Sequence, residues 1–600
     1  MRPSALPRPT DAHDVKSLLA CGALALCLAL PAPRAHASAA DDAFEAVYEQ
    51  EWDWRQAEFG RDDDEDAPPS RTLADVDAQA QARRLAKWED VLRRLDGIDA
   101  AALSEDNRIN LAVYRPQIEA MAENIRVRAY EMPFNSDSSF WSNLAFMARG
   151  DFGSVEDYEA YAARLRDVPR VFGQHIDNMR AGLARGFSVP RAVLEGRDGS
   201  IAAVADLDDP EAASFWAPYA RMPATIPAGE QERLREEGRA AIREAVVPAF
   251  RTLLAFFREE YVPQARTTLA AEAMPDGERF YRAQIREYTT LDLSPQEIHG
   301  IGLAEVARIR GEMEAIIDGL GFEGDFQDFI AFLRTDPQFY PETPRDLLER
   351  AAWIAKRVDG RLGDFFEPLP RHRFTIEPVP DDIAPFWTAG RGGLGTYWVN
   401  TYDLPSRPYY NLPALTLHES APGHSFQAAL ALEQGEQPDF RRNSYISAYG
   451  EGWALYVEKL GKEMGIYETP YEDFGRLTYE MWRACRLVID TGVHHDGWSR
   501  EQALAYLRDN TALSEHEVTT EVDRYISWPA QALSYKLGEL AIVRLRGEAE
   551  AALGAEFDIK AFHDAVLRLG SVPLPVLEDR IRAFIREQKD AADGEIAAAA

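Results

Sequence analysis

The segment Leu417-His418-Glu419-Ser420-Ala421-Pro422-Gly423-His424 carries the residue types of a hydrolytic metal site. Zinc favours imidazole and carboxylate ligands, and hydrolytic zinc sites hold the ion through three protein groups while a fourth position takes water. Two histidines bracketing a glutamate offer that set, with His418 and His424 as ligands, Glu419 acting on the metal-bound water, and Zn2+ as the implied cofactor. In the familiar H-E-x-x-H helix the histidines stand one turn apart on one face; here the second comes two residues late. Six residues on a regular helix advance by about 600°, which leaves the two side chains about 120° apart in projection. Pro422 removes a backbone donor and Gly423 tolerates unusual torsions, so a bulge or kink at this point would return His424 to the side of His418. The competing reading is a pair of satisfied core histidines.

A third ligand has to come from a neighbouring helix. The run from Tyr449 to Glu458 opens one, with Trp453, Tyr456, Val457, Leu460 and Met464 at helical spacing and Gly465 as a stop. Glu451 and Glu458 fall two turns apart on one face. In an antiparallel helical hairpin Glu451 would complete the ligand set, and Glu458 would either orient a ligand imidazole from behind or remain a surface charge.

Those helices belong to a chain that reads as mainly α. Residues 41–59, 78–95, 154–183, 230–261 and 294–320 place apolar residues at spacings of three and four. Ser294-Pro295-Gln296-Glu297 combines an N-cap, a first-turn proline and a capping glutamate. Residues 61–71, acidic and carrying Pro68-Pro69, read as a surface loop, and residues 367–380 as a proline-marked connection. Between positions 389 and 411 the pattern changes. Gly390, Gly392, Gly393 and Gly395 precede Thr396-Tyr397-Trp398-Val399-Asn400-Thr401, which reads as a strand. It is either a structural ribbon or an exposed edge on which an extended peptide adds as a further strand, with Tyr397 among the substrate contacts. Gly390, Gly392 and Gly395 formally spell G-x-G-x-x-G, but a strand follows where a dinucleotide fold needs a helix. No G-x-S-x-G, Walker A or paired C-x-x-C motif occurs.

Of the 600 residues 46% are apolar, enough for a large core, and the formal charge is −34. Without clustered cations, nucleic acid is not an expected partner. Arg2, Arg8 and Lys16 precede a short apolar stretch, residues 18–30, followed by small residues, so positions 1–39 read as a cleaved signal peptide and the mature chain as periplasmic or secreted. The minor alternative is lipidation at Cys21. Cys485 alone remains after cleavage, which rules out an internal disulfide, and no other apolar run is long enough to span a bilayer.

The runs H-E-S-A-P-G-H-S-F-Q and E-G-W-A-L-Y-V-E-K-L, then Asp490-Thr491-Gly492-Val493-His494, Arg524-Tyr525 and residues 529–538, resemble the bacterial domain-of-unknown-function 885 family over nearly the whole mature chain. That family is distantly similar to helical zinc peptidases of the thimet oligopeptidase and angiotensin-converting enzyme type. The resemblance implies one helical zinc-peptidase-like domain over residues 40–600, with two lobes as an option, a deep central channel, a small β ribbon before the metal-binding helix, and the metal site within 390–540. It also implies a third-ligand glutamate followed seven residues later by another acid, the arrangement of Glu451 and Glu458. The departure is the two-residue insertion before His424; the dipeptidyl-peptidase III family tolerates an insertion of one. Tyr525, Tyr535 and His494 become candidate oxyanion donors, and Arg524 and Lys536 candidate partners for a peptide carboxylate. The expected activity is cleavage of short peptides, carboxypeptidase-like or oligopeptidase-like. The alternatives are a zinc amidase or esterase and an inactive peptide-binding protein; retention of Glu419 and both histidines argues against the latter.

Overall fold

The computed structural model describes residues 38–60, 69–381, 384–435 and 437–599. All but the last two residues of the signal segment read at 1–39, and most of the acidic loop at 61–71, therefore lie outside the described residues. The chain is mainly helical with one small sheet. Helices α1 (Ala39–Phe59), α2 (Ala78–Asp96), α3 (Glu105–Arg126), α4 (Val155–Arg185) and α5 (Pro295–Leu320) include four of the five helices expected from apolar spacing. Their ends are set chemically. Ser294 Oγ accepts the Glu297 N–H at 3.2 Å, while the Glu297 carboxylate accepts the Ser294 N–H at 2.8 Å, closing the capping box at the start of α5. The fifth expected helix spans residues 228–264 but passes through π turns at Ile242–Val246 and Phe257–Tyr261. Each π turn is followed by an X-Pro pair, Val247-Pro248 and Val262-Pro263, and the wider turn accommodates a proline ring that an α-helical interior rejects.

Three strands form the sheet: β1 (Thr375–Pro378), β2 (Gly390–Gly393) and β3 (Thr396–Val399), in the order β1-β3-β2. β1 runs parallel to β3, and β2 antiparallel to it. Two expectations change here. The connection at 367–380 contains a strand, which its proline and glutamate content hid, and the glycine run is itself a strand instead of a lead-in. The predicted strand at 396–401 is the central one, so it offers no free edge to a peptide; the edge strands are β1 and β2. Tyr397 is buried, with its hydroxyl 3.4 Å from Thr416 Oγ1, and packs the sheet on the helix below instead of meeting substrate.

Six further helices surround the candidate site: α6 (Leu412–Glu419), α7 (His424–Glu433), α8 (Ser447–Glu463), α9 (Pro470–His494), α10 (Glu515–Ser527) and α11 (Ser534–Leu553). α9 is the central pillar, buried at every residue from 474 to 494. α8 and α11 cross in near backbone contact, because a Cβ on Gly538 would lie 1.9 Å from the Ala448 carbonyl oxygen and one on Gly452 2.5 Å from the Gly538 carbonyl carbon. Glu451 on α8 and Tyr535 on α11 line the same cavity. One hydrophobic cluster runs from Phe44 to Phe584, and no helix among the described residues is long and apolar enough to cross a membrane.

Candidate metal centre

Leu412, Ala414, Leu415 and Leu417 bury α6, which leaves His418 and Glu419 in its last turn. The kink expected at Pro422-Gly423 is a complete break. Ser420 (ψ −117°) and Gly423 (ψ −134°) leave the helical region, the Ala421–Pro422 peptide is cis, and α7 starts at His424. The break is tightly tied. Gly423 N–H donates to the Leu417 carbonyl at 3.0 Å, Ser425 Oγ to the Glu419 carbonyl at 3.0 Å, and Trp453 Nε1 to the Pro422 carbonyl at 2.8 Å. The two imidazoles end 4.9 Å apart between centroids and nearly perpendicular, at 88°.

A Cβ on Gly423 would lie 1.9 Å from the His418 carbonyl oxygen and 2.4 Å from that of Leu417, so no side chain fits without moving a ligand. Gly423→Ala is therefore expected to fold with a stability loss of at least about 1–3 kcal/mol, the range for overpacking, and to bind zinc at least about tenfold more weakly, a change of about 1.4 kcal/mol. A thermal melt paired with a zinc titration checks this; a folded variant with unchanged zinc affinity would contradict it.

Glu451 supplies the third donor. Its Oε2 lies 3.4 Å from His418 Nε2 and 3.3 Å from His424 Nε2, and donor atoms of the three residues all fall within 4.8 Å of one another. A zinc ion bound tetrahedrally at 2.0–2.2 Å has donor-to-donor edges of about 3.3–3.6 Å, and the two edges from Glu451 Oε2 to the imidazole nitrogens, 3.4 and 3.3 Å, match it. The chemistry of the set agrees. Glu451 Oε2 is buried without a hydrogen-bond partner, while Oε1 accepts the Tyr445 hydroxyl at 3.2 Å. His418 Nδ1 bonds Glu458 Oε1 at 2.7 Å, which turns Nε2 toward the other two donors. Of the two readings of Glu458, the orienting partner is the one realised: its side chain is 1% exposed, and Arg483 Nη2 stands 3.6 Å away. Burial alone would push the His418 imidazole down, but hydrogen bonds to Glu451 and Glu458 and the charge of Glu419 outweigh it and hold the pKa at about 9. Burial would likewise raise Glu451, yet the adjoining imidazoles hold it well below the usual carboxylate range.

Glu419 is held from the sheet side. Its Oε2 accepts the Gly392 N–H at 2.6 Å, and a Cβ on Gly392 would lie 1.8 Å from the Glu419 carbonyl oxygen. The edge strand β2 thus borders α6. His418, Glu419, His424 and Glu451 all open on one cavity of about 900 Å³, rimmed by the exposed apolar side chains Leu394 and Leu432 and by Tyr445, which is 60% exposed.

The other predicted residues divide. Tyr535 lines the cavity with its ring 6.4 Å from that of His418 and nearly parallel to it, and Arg524 lines it too, donating to Gln531 Oε1 at 2.9 Å and toward the Tyr535 hydroxyl at 3.4 Å. Tyr525, Lys536 and His494 do not reach the cavity. The Tyr525 hydroxyl accepts from Trp482 Nε1 at 2.8 Å and Arg486 Nε at 3.1 Å. Lys536 is buried among Glu480, Glu539 and Glu305 at 2.8–3.0 Å. The reason is geometric: consecutive helical residues point about 100° apart, so with Arg524 and Tyr535 facing the cavity, their neighbours Tyr525 and Lys536 face away.

His494 accepts the Ala271 N–H at its Nδ1 (3.2 Å) and donates from Nε2 to the Tyr525 carbonyl (2.8 Å). Burial pushes its pKa from 6.5 down to about 3, so it is a neutral structural group. Because the folded value is depressed, the folded state refuses a proton that the unfolded chain accepts, and stability is lost as pH falls from about 6.5 toward 3. His494→Gln keeps one acceptor and one donor and removes the titration. We expect it to lessen the fall in stability between pH 6.5 and 4.5 by on the order of 2 kcal/mol and to leave turnover at pH 7 unchanged. Thermal midpoints across that range check the first point, and a kcat reduced more than tenfold would restore His494 to the chemistry.

Tyr445, Arg483, Arg486 and the Gly392 N–H are site groups that sequence reasoning missed. The two arginines carried a usable signal, since Trp482-Arg483-Ala484-Cys485-Arg486 sets two guanidiniums three residues apart on one side of a helix that is buried along most of its length.

A family model described as "Bacterial protein of unknown function (DUF885)" matches residues 55–581. Two solved structures share the fold. A putative lipoprotein from Colwellia psychrerythraea is 27% identical, with a TM-score of 0.83 over 92% of this chain and 100% of that one. A second, described as a putative lipoprotein of unknown function from Shewanella oneidensis, is 18% identical, with a TM-score of 0.66 over 90% of this chain and 99% of its own. No curated protein matches the sequence.

Proposed function

The chain belongs to the bacterial DUF885 family, and from its donor set we propose that it is an exported zinc-dependent hydrolase that cleaves peptide bonds in short peptides. The observation that carries the reading is the spacing of Glu451 Oε2 from His418 Nε2 and His424 Nε2, each a tetrahedral edge, backed by Glu458 and flanked by Glu419 in one cavity. When bound there, zinc would polarise a scissile carbonyl and acidify a water.

The chain's own groups supply the rest. Gly392 N–H fixes one oxygen of Glu419 and leaves the other to take a proton from water and pass it to the leaving amine. The Tyr535 hydroxyl, on the cavity wall, would donate to the carbonyl oxygen as its negative charge develops. An extended peptide would lie along the free edge of β2, the strand that lines the cavity, and the apolar rim would take its side chains. Export is supported by the N-terminal sequence pattern and by the description of the Colwellia psychrerythraea relative as a putative lipoprotein.

The test is turnover by zinc-loaded protein of a mixed peptide library beside small amide and ester substrates. Peptide cleavage is expected. Cleavage of the small substrates alone would move the assignment to an amidase or esterase, and no turnover of any of them would end it.

A further inference from the structure

The chain carries a formal charge of −34, yet guanidinium groups gather on the cavity wall beside the metal donors. We infer that Arg483, Arg486 and Arg524 form a carboxylate-binding subsite that receives the C-terminal carboxylate of a peptide, so that the hydrolase proposed above, on which this inference rests, removes short fragments from C-termini.

Arg486 is 1% exposed and lines the cavity. Its Nη2 pairs with Glu521 at 2.7 Å and its Nε meets the Tyr525 hydroxyl, but its Nη1 is buried with no hydrogen-bond partner. Arg483 Nε and Arg524 Nε are buried and unpartnered as well. The facing anions are already committed. Glu521 serves both Arg486 and, at 3.6 Å, Arg524; Glu458 lies 3.6 Å from Arg483 but is bonded to His418; and Asp137 pairs with Arg391 at 2.7 Å. Three cations over Glu521 and a shared Glu458 leave positive charge in a desolvated wall. A buried guanidinium with unmatched N–H groups is costly, and a carboxylate is the planar, two-oxygen anion that matches its fork.

The subsite also has the right address. Arg486 lies 4.2 Å over one side of the Tyr535 ring, and Arg524 reaches that residue's hydroxyl, while His418 stacks against the same ring at 6.4 Å. Trp482 and Trp528 back the guanidiniums at 3.9–5.6 Å and hold them in place. Arg486, Arg524 and the candidate metal donor His418 are thus all neighbours of one aromatic residue. Extended chain advances about 3.3–3.6 Å per residue, which places a carboxylate held here one or two residues beyond a carbonyl at the metal.

An acidic side chain offers the same chemistry as a C-terminus, so the test carries both. A mixed library of N-acetylated pentapeptides is prepared as free acids, as C-terminal amides, and as amides with glutamate in the last position. Binding of each pool is measured to zinc-loaded Glu419→Gln protein, which does not depend on turnover, and again after Arg524→Gln is added. The free acids are expected to bind at least about tenfold more tightly than either amide pool, and Arg524→Gln to remove most of that difference while circular dichroism and zinc content stay unchanged. Equal binding of acids and plain amides would overturn the inference, and so would preference for the glutamate amides over the free acids. Acid preference with no turnover by the wild type would keep the subsite and reject the peptidase reading; turnover without acid preference would do the reverse.

Discussion

Glu419→Gln is expected to keep its zinc and lose at least about 10³-fold in kcat/KM, within the range contributed by a positioned general base. The substitution is nearly isosteric, so the amide oxygen can still accept the Gly392 N–H that fixes the side chain at 2.6 Å. None of the three metal donors is touched. What disappears is the capacity to hold a proton between water and the leaving amine. Metal analysis alongside peptide turnover checks the result. Unchanged turnover would take Glu419 out of the chemistry, and joint loss of zinc and activity would give it a structural role.

His424→Ala is expected to abolish turnover and to weaken zinc binding by more than the roughly 10–100-fold that loss of an outer partner such as Glu458 costs. His424 suits the experiment because its side chain is 14% exposed and starts a helix at the cavity wall, so its removal leaves the core packing alone. The two effects must travel together. Turnover surviving at zinc levels that leave the variant metal-free would show that the ion is not needed; zinc retained at wild-type affinity would show that it is held elsewhere. Competitive zinc titration with a chelator provides both numbers.

Much of this centre was legible in the sequence because ligand chemistry and helix spacing are local properties. His418, Glu419, His424 and Glu451 needed only residue type, the one-face relation of Glu451 to Glu458, and the helix breakers at Pro422-Gly423. Long helices were equally plain, since capping residues such as Ser294 mark their own ends. What escaped was set by tertiary contact. β2 is Gly-Arg-Gly-Gly, poor in strand propensity, and is a strand because its backbone must approach Glu419 more closely than any Cβ permits. Tyr525, Lys536 and His494 have suitable chemistry but point into the body, and only the helix rotations imposed by packing decide that Arg524 and Tyr535 face the cavity instead. The break at Ser420-Gly423 was predicted as a distortion of one helix; its realisation as two helices follows from the cross-links that Leu417, Glu419 and Trp453 make to the turn, which spacing along the chain does not reveal.

The claim beneath all of this is that two imidazoles and a carboxylate on two neighbouring stretches of chain grip one ion. Anomalous diffraction recorded on either side of the zinc edge from zinc-loaded crystals measures it directly. The account predicts a single strong peak about 2.0–2.2 Å from His418 Nε2, His424 Nε2 and Glu451 Oε2. Crystals that bind zinc yet show no peak among those three atoms would contradict it.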